Sequence, residues 1–179
     1  FQVPALAMEG VCLVISPLIA LMEDQIRQLK QRGIPCAVIH SGLSYSQLDV
    51  VLDNCVFGNV KLLYLSPERI QTELFQERLR RMKVSMVAVD EAHCISEWGY
   101  DFRPSYLQIG SIRETHPNIP VLALTASATD RVRQDIIGKL ALTNPAVISR
   151  SFARDNISFV VRQAENKEIQ AAAILKKVN

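Results

Sequence analysis

The sequence predicts an α/β protein: a doubly wound, mostly parallel sheet with helices on both of its faces. Short runs rich in Val, Ile and Leu recur without alternating apolar and polar residues, the pattern of strands covered on both sides. Each gap between runs can hold a helix, and several gaps show apolar residues at helical spacing. Polar residues with chemical potential stand directly behind the runs, where the strands of such a sheet end and its ligands bind.

In chain order, VCLVIS (11–16) reads as the first strand. Leu18, Leu21, Met22, Ile26 and Leu29 then recur every three or four residues, until Gly33 and Pro35 stop the helix. CAVIH (36–40) is the next strand and SYSQLDVVLDNCVFG (44–58) the next helix, followed by strands at KLLYLS (61–66), VSMVAV (84–89) and VLALT (121–125). TDRVRQDIIGKL (129–140) returns to helical spacing. Residues 1–145 thus form one lobe. From Ala146 the stretch AVISRSFARDNISFVVRQ predicts an extended connector, and EIQAAAILKKV (168–178) one more helix.

Length and composition narrow the classes. A chain of 179 residues suits one core, and 49% apolar residues exclude disorder. The longest apolar runs fall far below the ~20 residues of a membrane helix, so a soluble domain with no membrane partner is expected. No basic stretch followed by an apolar one opens the chain at Phe1, so no signal peptide is expected. Cys12, Cys36, Cys55 and Cys94 form no C-x-x-C pair, which predicts reduced core thiols, with neither zinc nor disulfides. A formal net charge of +2 says nothing about nucleic acid, whose binding shows as a basic patch.

The sharpest feature is DEAHCISEWGYDFRP (90–104), set behind VSMVAV. An acid at the end of a buried strand is the Walker B arrangement: the first carboxylate, Asp90, holds magnesium and the next, Glu91, acts on the attacking water. The plainer alternative makes Asp90 a helix cap. Trp98, Tyr100 and Phe102 alternate with Gly99, Asp101 and Arg103, so burying the rings as a core cluster would drag charges inside. An exposed stacking surface fits the alternation better.

DEAH with CISEWGYDFRPSY and LALTASAT resembles the superfamily 2 helicases, and specifically the RecQ family of ATP-dependent DNA helicases. VISPLIALMEDQ (14–25) and LLYLSPER (62–69) resemble that family's motifs Ia and Ib, and SFARDNISF (151–159) its passage toward a second lobe. The resemblance implies a RecA-like fold, ATP and Mg²⁺ as cofactors, and DNA as partner, single-stranded or at duplex junctions. It implies a role in repair and recombination, in the cytoplasm or, if the protein is bacterial, on the nucleoid. Carried over residue by residue, Asp90 holds Mg²⁺ through water, Glu91 acts on the hydrolytic water, and His93 relays nucleotide state. Thr125 and Ser127 join the ATP site to DNA. Trp98, Phe102 and Arg103 form an aromatic-rich loop that couples single-stranded DNA to hydrolysis, and Ser16, Ser66 and Arg69 touch the DNA backbone.

Several of these residues have an ordinary alternative. Ser16 and Ser66, each before a proline, read equally as helix starts. Thr129 reads as the cap of the helix that follows it. Arg78, Arg80, Arg81 and Lys83 read as phosphate ligands or as a solvated helix face, and His40 and His116 as structural or solvent-facing residues. No G-x-x-x-x-G-K-[ST] phosphate cradle occurs in the 179 residues. By themselves they are expected to bind ATP weakly and not to hydrolyse it. A non-hydrolysing nucleic-acid-binding or interaction module is the competing reading, and an RNA helicase, which lacks the W-G-x-D-F-R-P loop, a third.

Overall fold

The computed structural model describes residues 1–150, 156–157, 161, 163 and 166–178. The chain divides into two units, Phe1–Pro145 and Ala146–Asn179. In the second, helix α7 spans Lys167–Val178, where a helix was expected, and Asn166 caps it by accepting from the Ile169 amide at 3.2 Å. Most of SFARDNISF lies outside the described residues.

The first unit holds strands β1 (Val11–Ile15), β2 (Cys36–Ile39), β3 (Leu62–Leu65), β4 (Val84–Val89) and β5 (Val121–Ala123). All pair in parallel, in the order β2-β3-β1-β4-β5. Along β1, Val11, Leu13 and Ile15 enter one apolar cluster, while Cys12 and Val14 enter another on the opposite face. Side chains alternate across a strand, so a strand covered on both faces has no polar position to spare.

Helices supply the covers. α1 (Gln2–Ala7) and α2 (Ile19–Gln31) pack Ala5, Met22, Ile26 and Leu29 against Cys12, Val14, Leu62, Tyr64, Met86 and Ala88. On the other face lie α3 (Tyr45–Phe57), α4 (Glu73–Leu79), α5 (Ile112–Thr115) and α6 (Asp130–Lys139). Ser44 and Gln47 close a reciprocal capping box on α3, which ends at Gly58. Gly33, with φ +72°, follows the end of α2. Thr129 caps α6, as its alternative reading expected, by accepting from the Val132 amide at 3.4 Å.

The structure corrects other expectations. α4, α5 and a 3-10 helix over Pro104–Ser111 had no counterpart in the sequence reading, because elements this short or this tightly wound show no 3.6-residue period. Arg78 is no solvated face: it lies within 2.7 Å of Asp49, 2.8 Å of Asp53 and 3.0 Å of Glu77, tying α4 to α3. His116 is structural, its Nε2 3.2 Å from the Met82 carbonyl. His40 is too: its Nδ1 accepts from the Gly42 amide at 3.1 Å.

All four cysteines are free and buried. Burial pushes the Cys12 and Cys94 thiols up to about 11 and Cys55 to about 12, and raises Cys36 as well. The thiolate is the reactive form, so a disulfide-exchange reagent is expected to leave the native thiols untouched at neutral pH and to titrate all four in denaturant. A native thiol reacting as fast as free cysteine would contradict the packing.

Candidate functional site at the carboxyl edge of the sheet

Two neighbouring strands leave the sheet in opposite directions, β1 toward β2 and β4 toward β5, so their shared carboxyl edge is the topological switch point. Asp90 stands there, its amide donating to the Ile15 carbonyl at 2.9 Å. Ser16, Ser66 and Thr125 follow the ends of β1, β3 and β5. The sheet thus gathers on one edge residues that lie up to 109 positions apart in the chain, from Ser16 to Thr125.

Glu91 adopts φ 47° and ψ 44°, the left-handed region that a non-glycine residue enters at a cost. The reversal lets a 3-10 turn, Ala92–Ile95, begin at once. It also returns the Glu91 carboxylate to His93, with Oε2 3.3 Å from Nδ1. The same nitrogen lies 3.0 Å from Thr125 Oγ1. A carboxylate only accepts, so an attractive contact requires the proton on Nδ1. Backbone bonds brace the group: Leu124 donates to Val89 and Ala92 to Leu124, both at 2.9 Å. The Asp90 Oδ1 accepts from the Glu91 amide at 3.1 Å. His93 itself is 2% exposed, so it meets anything outside only through the side chains packed on it.

The aromatic stretch folds back over this group. Tyr100, 80% exposed, stacks on His93 with ring centroids 4.8 Å apart and planes at 21°. Trp98 is 60% exposed, so the buried-cluster alternative fails for both rings. Phe102 is half-buried, with Lys139 Nζ 5.7 Å from its ring centre. Gly99 is required by close approach, since a Cβ there would fall 2.7 Å from the His93 carbonyl oxygen.

Other predicted residues are occupied within the protein. Arg103 donates twice to Asp101 Oδ2, at 3.2 and 3.1 Å, and to the Pro17 carbonyl at 3.3 Å. Arg69 donates to the carbonyls of His40, at 3.0 and 2.7 Å, and Leu43, at 3.4 Å, fastening the loop after β2. Ser16 and Ser66 are buried, and neither hydroxyl has a partner among the described residues. Ser16 is no cap, since α2 begins three residues beyond it, whereas Ser66 stands at the N-cap of the 3-10 turn Pro67–Arg69 with Pro67 at its first position, as its alternative reading expected, although its hydroxyl makes no capping bond. Ser127 is exposed, and its amide donates to Thr125 Oγ1 at 3.2 Å.

Sequence reasoning gave no role to four residues of this region. Tyr106 is fully buried and donates to the Asp90 carbonyl at 3.0 Å, and burial raises its phenol well above the ordinary range. Ser96, also fully buried, donates to Asp135 Oδ2 at 2.6 Å, and Lys139 donates to the Ile95 carbonyl at 3.1 Å. These bonds bolt the base of the aromatic stretch to α6, and they join residues too far apart in sequence to form a motif.

Among the described residues no three His, Cys, Asp or Glu side chains gather as a metal cage. Magnesium held with a nucleotide takes only one or two carboxylates and completes its shell with phosphates and water, which Asp90 at a strand end fits. Among the described residues no helix is long and apolar enough to cross a membrane.

Comparison with known proteins places these features in context. Residues 1–136 match the family model for DEAD/DEAH box helicases. The chain is 46% identical over 161 residues to the ATP-dependent DNA helicase RecQ of Pasteurella multocida, covering 90% of this chain and 26% of that protein. It is 43% identical over 169 residues to RecQ of Bacillus subtilis, covering 94% and 29%. The chain therefore spans under a third of these relatives. Two solved structures share the fold: the Pyrococcus furiosus Hef helicase domain (TM-score 0.54, 19% identity, 74% of this chain, 27% of that one) and the DEAD-box helicase Mss116 bound to ssRNA and UDP-BeF (0.56, 16%, 73%, 28%).

Proposed function

We propose a motor role for this chain, because it belongs to the DEAD/DEAH box helicase family. It is the first RecA-like lobe, over residues 1–145, of an ATP-dependent DNA helicase of RecQ type, with 146–179 leading toward a further lobe. The whole protein couples ATP hydrolysis to DNA unwinding at single strands and duplex junctions, in repair and recombination. The observation that supports this most is the stack of Tyr100 on His93. It makes the exposed rings and the acidic strand end one mechanical unit, as coupling of DNA to hydrolysis requires.

In this reading Asp90 would hold, through water, the magnesium bound with the nucleotide phosphates, and that metal would supply charge neutralisation. Glu91 takes the proton of the attacking water, held in its strained turn by the contact with His93. Thr125 reports through the same His93 nitrogen to the segment that ends in α6, with Ser127 beside it. Bases stack on Trp98 without sequence preference. Arg103 acts by holding the stretch to Pro17 behind β1, and Arg69 by shaping the loop after β2. For DNA to reach the Ser16 or Ser66 hydroxyls, the residues that bury them must open.

In the full-length protein, Trp98→Ala is expected to lower DNA-stimulated ATP hydrolysis about five- to 150-fold, the equivalent of ~1–3 kcal/mol of lost stacking, with little change in basal rate. Phe102→Ala should act in the same direction with some loss of stability, being half-buried. ATPase rates with and without single-stranded DNA, read beside melting temperature, make the measurement. Proportional loss of both rates would overturn the coupling role, and absence of any turnover in the unmutated protein would favour the non-hydrolysing module.

A further inference from the structure

Arg131, in the first turn of α6, sets its guanidinium carbon 3.2 Å from the centre of the Trp98 ring. Both side chains are exposed. Neighbouring acids are otherwise engaged: Asp130 lies 2.9 Å from Arg133, and Asp135 accepts from Ser96. Among the described residues the Arg131 guanidinium makes no hydrogen bond or ion pair. All five guanidinium donors lie in its plane, so a guanidinium stacked over a ring keeps them available at its edge. That edge matches a phosphate bidentately.

We propose that Arg131 and Trp98 form a composite site for single-stranded DNA, in which the open face of the ring takes a base and the guanidinium edge takes an adjoining phosphate. The site rests on the reading of the aromatic stretch as a DNA surface and adds a phosphate ligand from a different element. Its chemistry suits a motor: ring and guanidinium both bind without reading sequence, and the contact lies on the helix that Ser96 and Ile95 already join to the base of the stretch. The opposing possibility is that Arg131 occupies the face a base needs, in which case its removal tightens binding.

The test is binding of fluorescein-labelled oligo-dT to the full-length protein across a salt series. One phosphate contact on a single strand contributes a log–log salt slope of about 0.7, so Arg131→Gln is expected to weaken binding about fivefold near 0.1 M salt and to flatten the slope by about 0.7. Arg131→Lys should keep the slope, because an ammonium still pairs with a phosphate. Trp98→Ala should weaken binding with little change of slope. Unchanged or tighter binding by Arg131→Gln, with Trp98→Ala weakened, overturns the composite site and leaves the aromatic surface standing. Unchanged binding by Trp98→Ala removes the aromatic surface, and the composite site with it.

Discussion

Replacing Glu91 by glutamine in the full-length protein is expected to cut DNA-stimulated ATP turnover by about 10²–10⁴-fold, the usual worth of a general base, while nucleotide affinity stays within about twofold. The local geometry makes this substitution informative. Glutamine keeps the length of the side chain and an oxygen acceptor 3.3 Å from His93 Nδ1, so His93 and its bond to Thr125 hold their places. The left-handed backbone at φ 47° costs glutamine about what it costs glutamate. What disappears is basicity alone. Loss of kcat and kcat/KM together, with fluorescent-nucleotide binding and melting temperature intact, is the signature of an interaction made only in the transition state. Loss of nucleotide affinity in step with turnover would make Glu91 a binding residue instead.

The second large effect concerns stability. Tyr106 is fully buried in the cluster under α3, α4 and α6, and its hydroxyl reaches the Asp90 carbonyl at 3.0 Å. Tyr106→Ala removes a whole packed ring and is expected to cost ~3–5 kcal/mol. Tyr106→Phe keeps the ring and deletes only the donor, leaving a carbonyl without it, for ~1–3 kcal/mol. At about 2–4 °C per kcal/mol for a domain of this size, the alanine variant melts roughly 6–20 °C early and the phenylalanine variant roughly 2–12 °C early. Phenylalanine should also reduce turnover more than its melting temperature explains, since it frees the carbonyl at the Asp90–Glu91 junction. Equal melting of the two variants would show that the hydroxyl bond adds nothing.

Much of this was legible in the residues themselves. All five strands lie within the apolar runs, with Ser85 of β4 the one small polar exception, because a strand buried on both faces leaves little room for polar side chains, and that condition is local. The last run yields the shortest strand: VLALT gives only Val121–Ala123, at an edge of the sheet where burial is partial. Ser44 and Thr129 cap their helices as short-range chemistry dictates. DEAH and W-G-x-D-F-R-P pointed to one neighbourhood because they are adjacent in the chain.

The sequence by itself therefore determined the sheet, the family, and the exposed rings and acids of residues 90–104. Only the tertiary structure decided what holds them. Tyr100, left out when the resemblance carried over Trp98 and Phe102, makes the contact with His93, while Arg103 and Arg69, read as DNA ligands, spend their donors on Asp101 and on backbone carbonyls. Tyr106 under Asp90, Asp135 behind Ser96 and Arg131 over Trp98 join positions 16 to 39 residues apart. Burial of a strand is a property of each residue and its neighbours in the chain. A hydrogen bond or a stack across elements depends on which helix the topology brings alongside, and no local pattern records that.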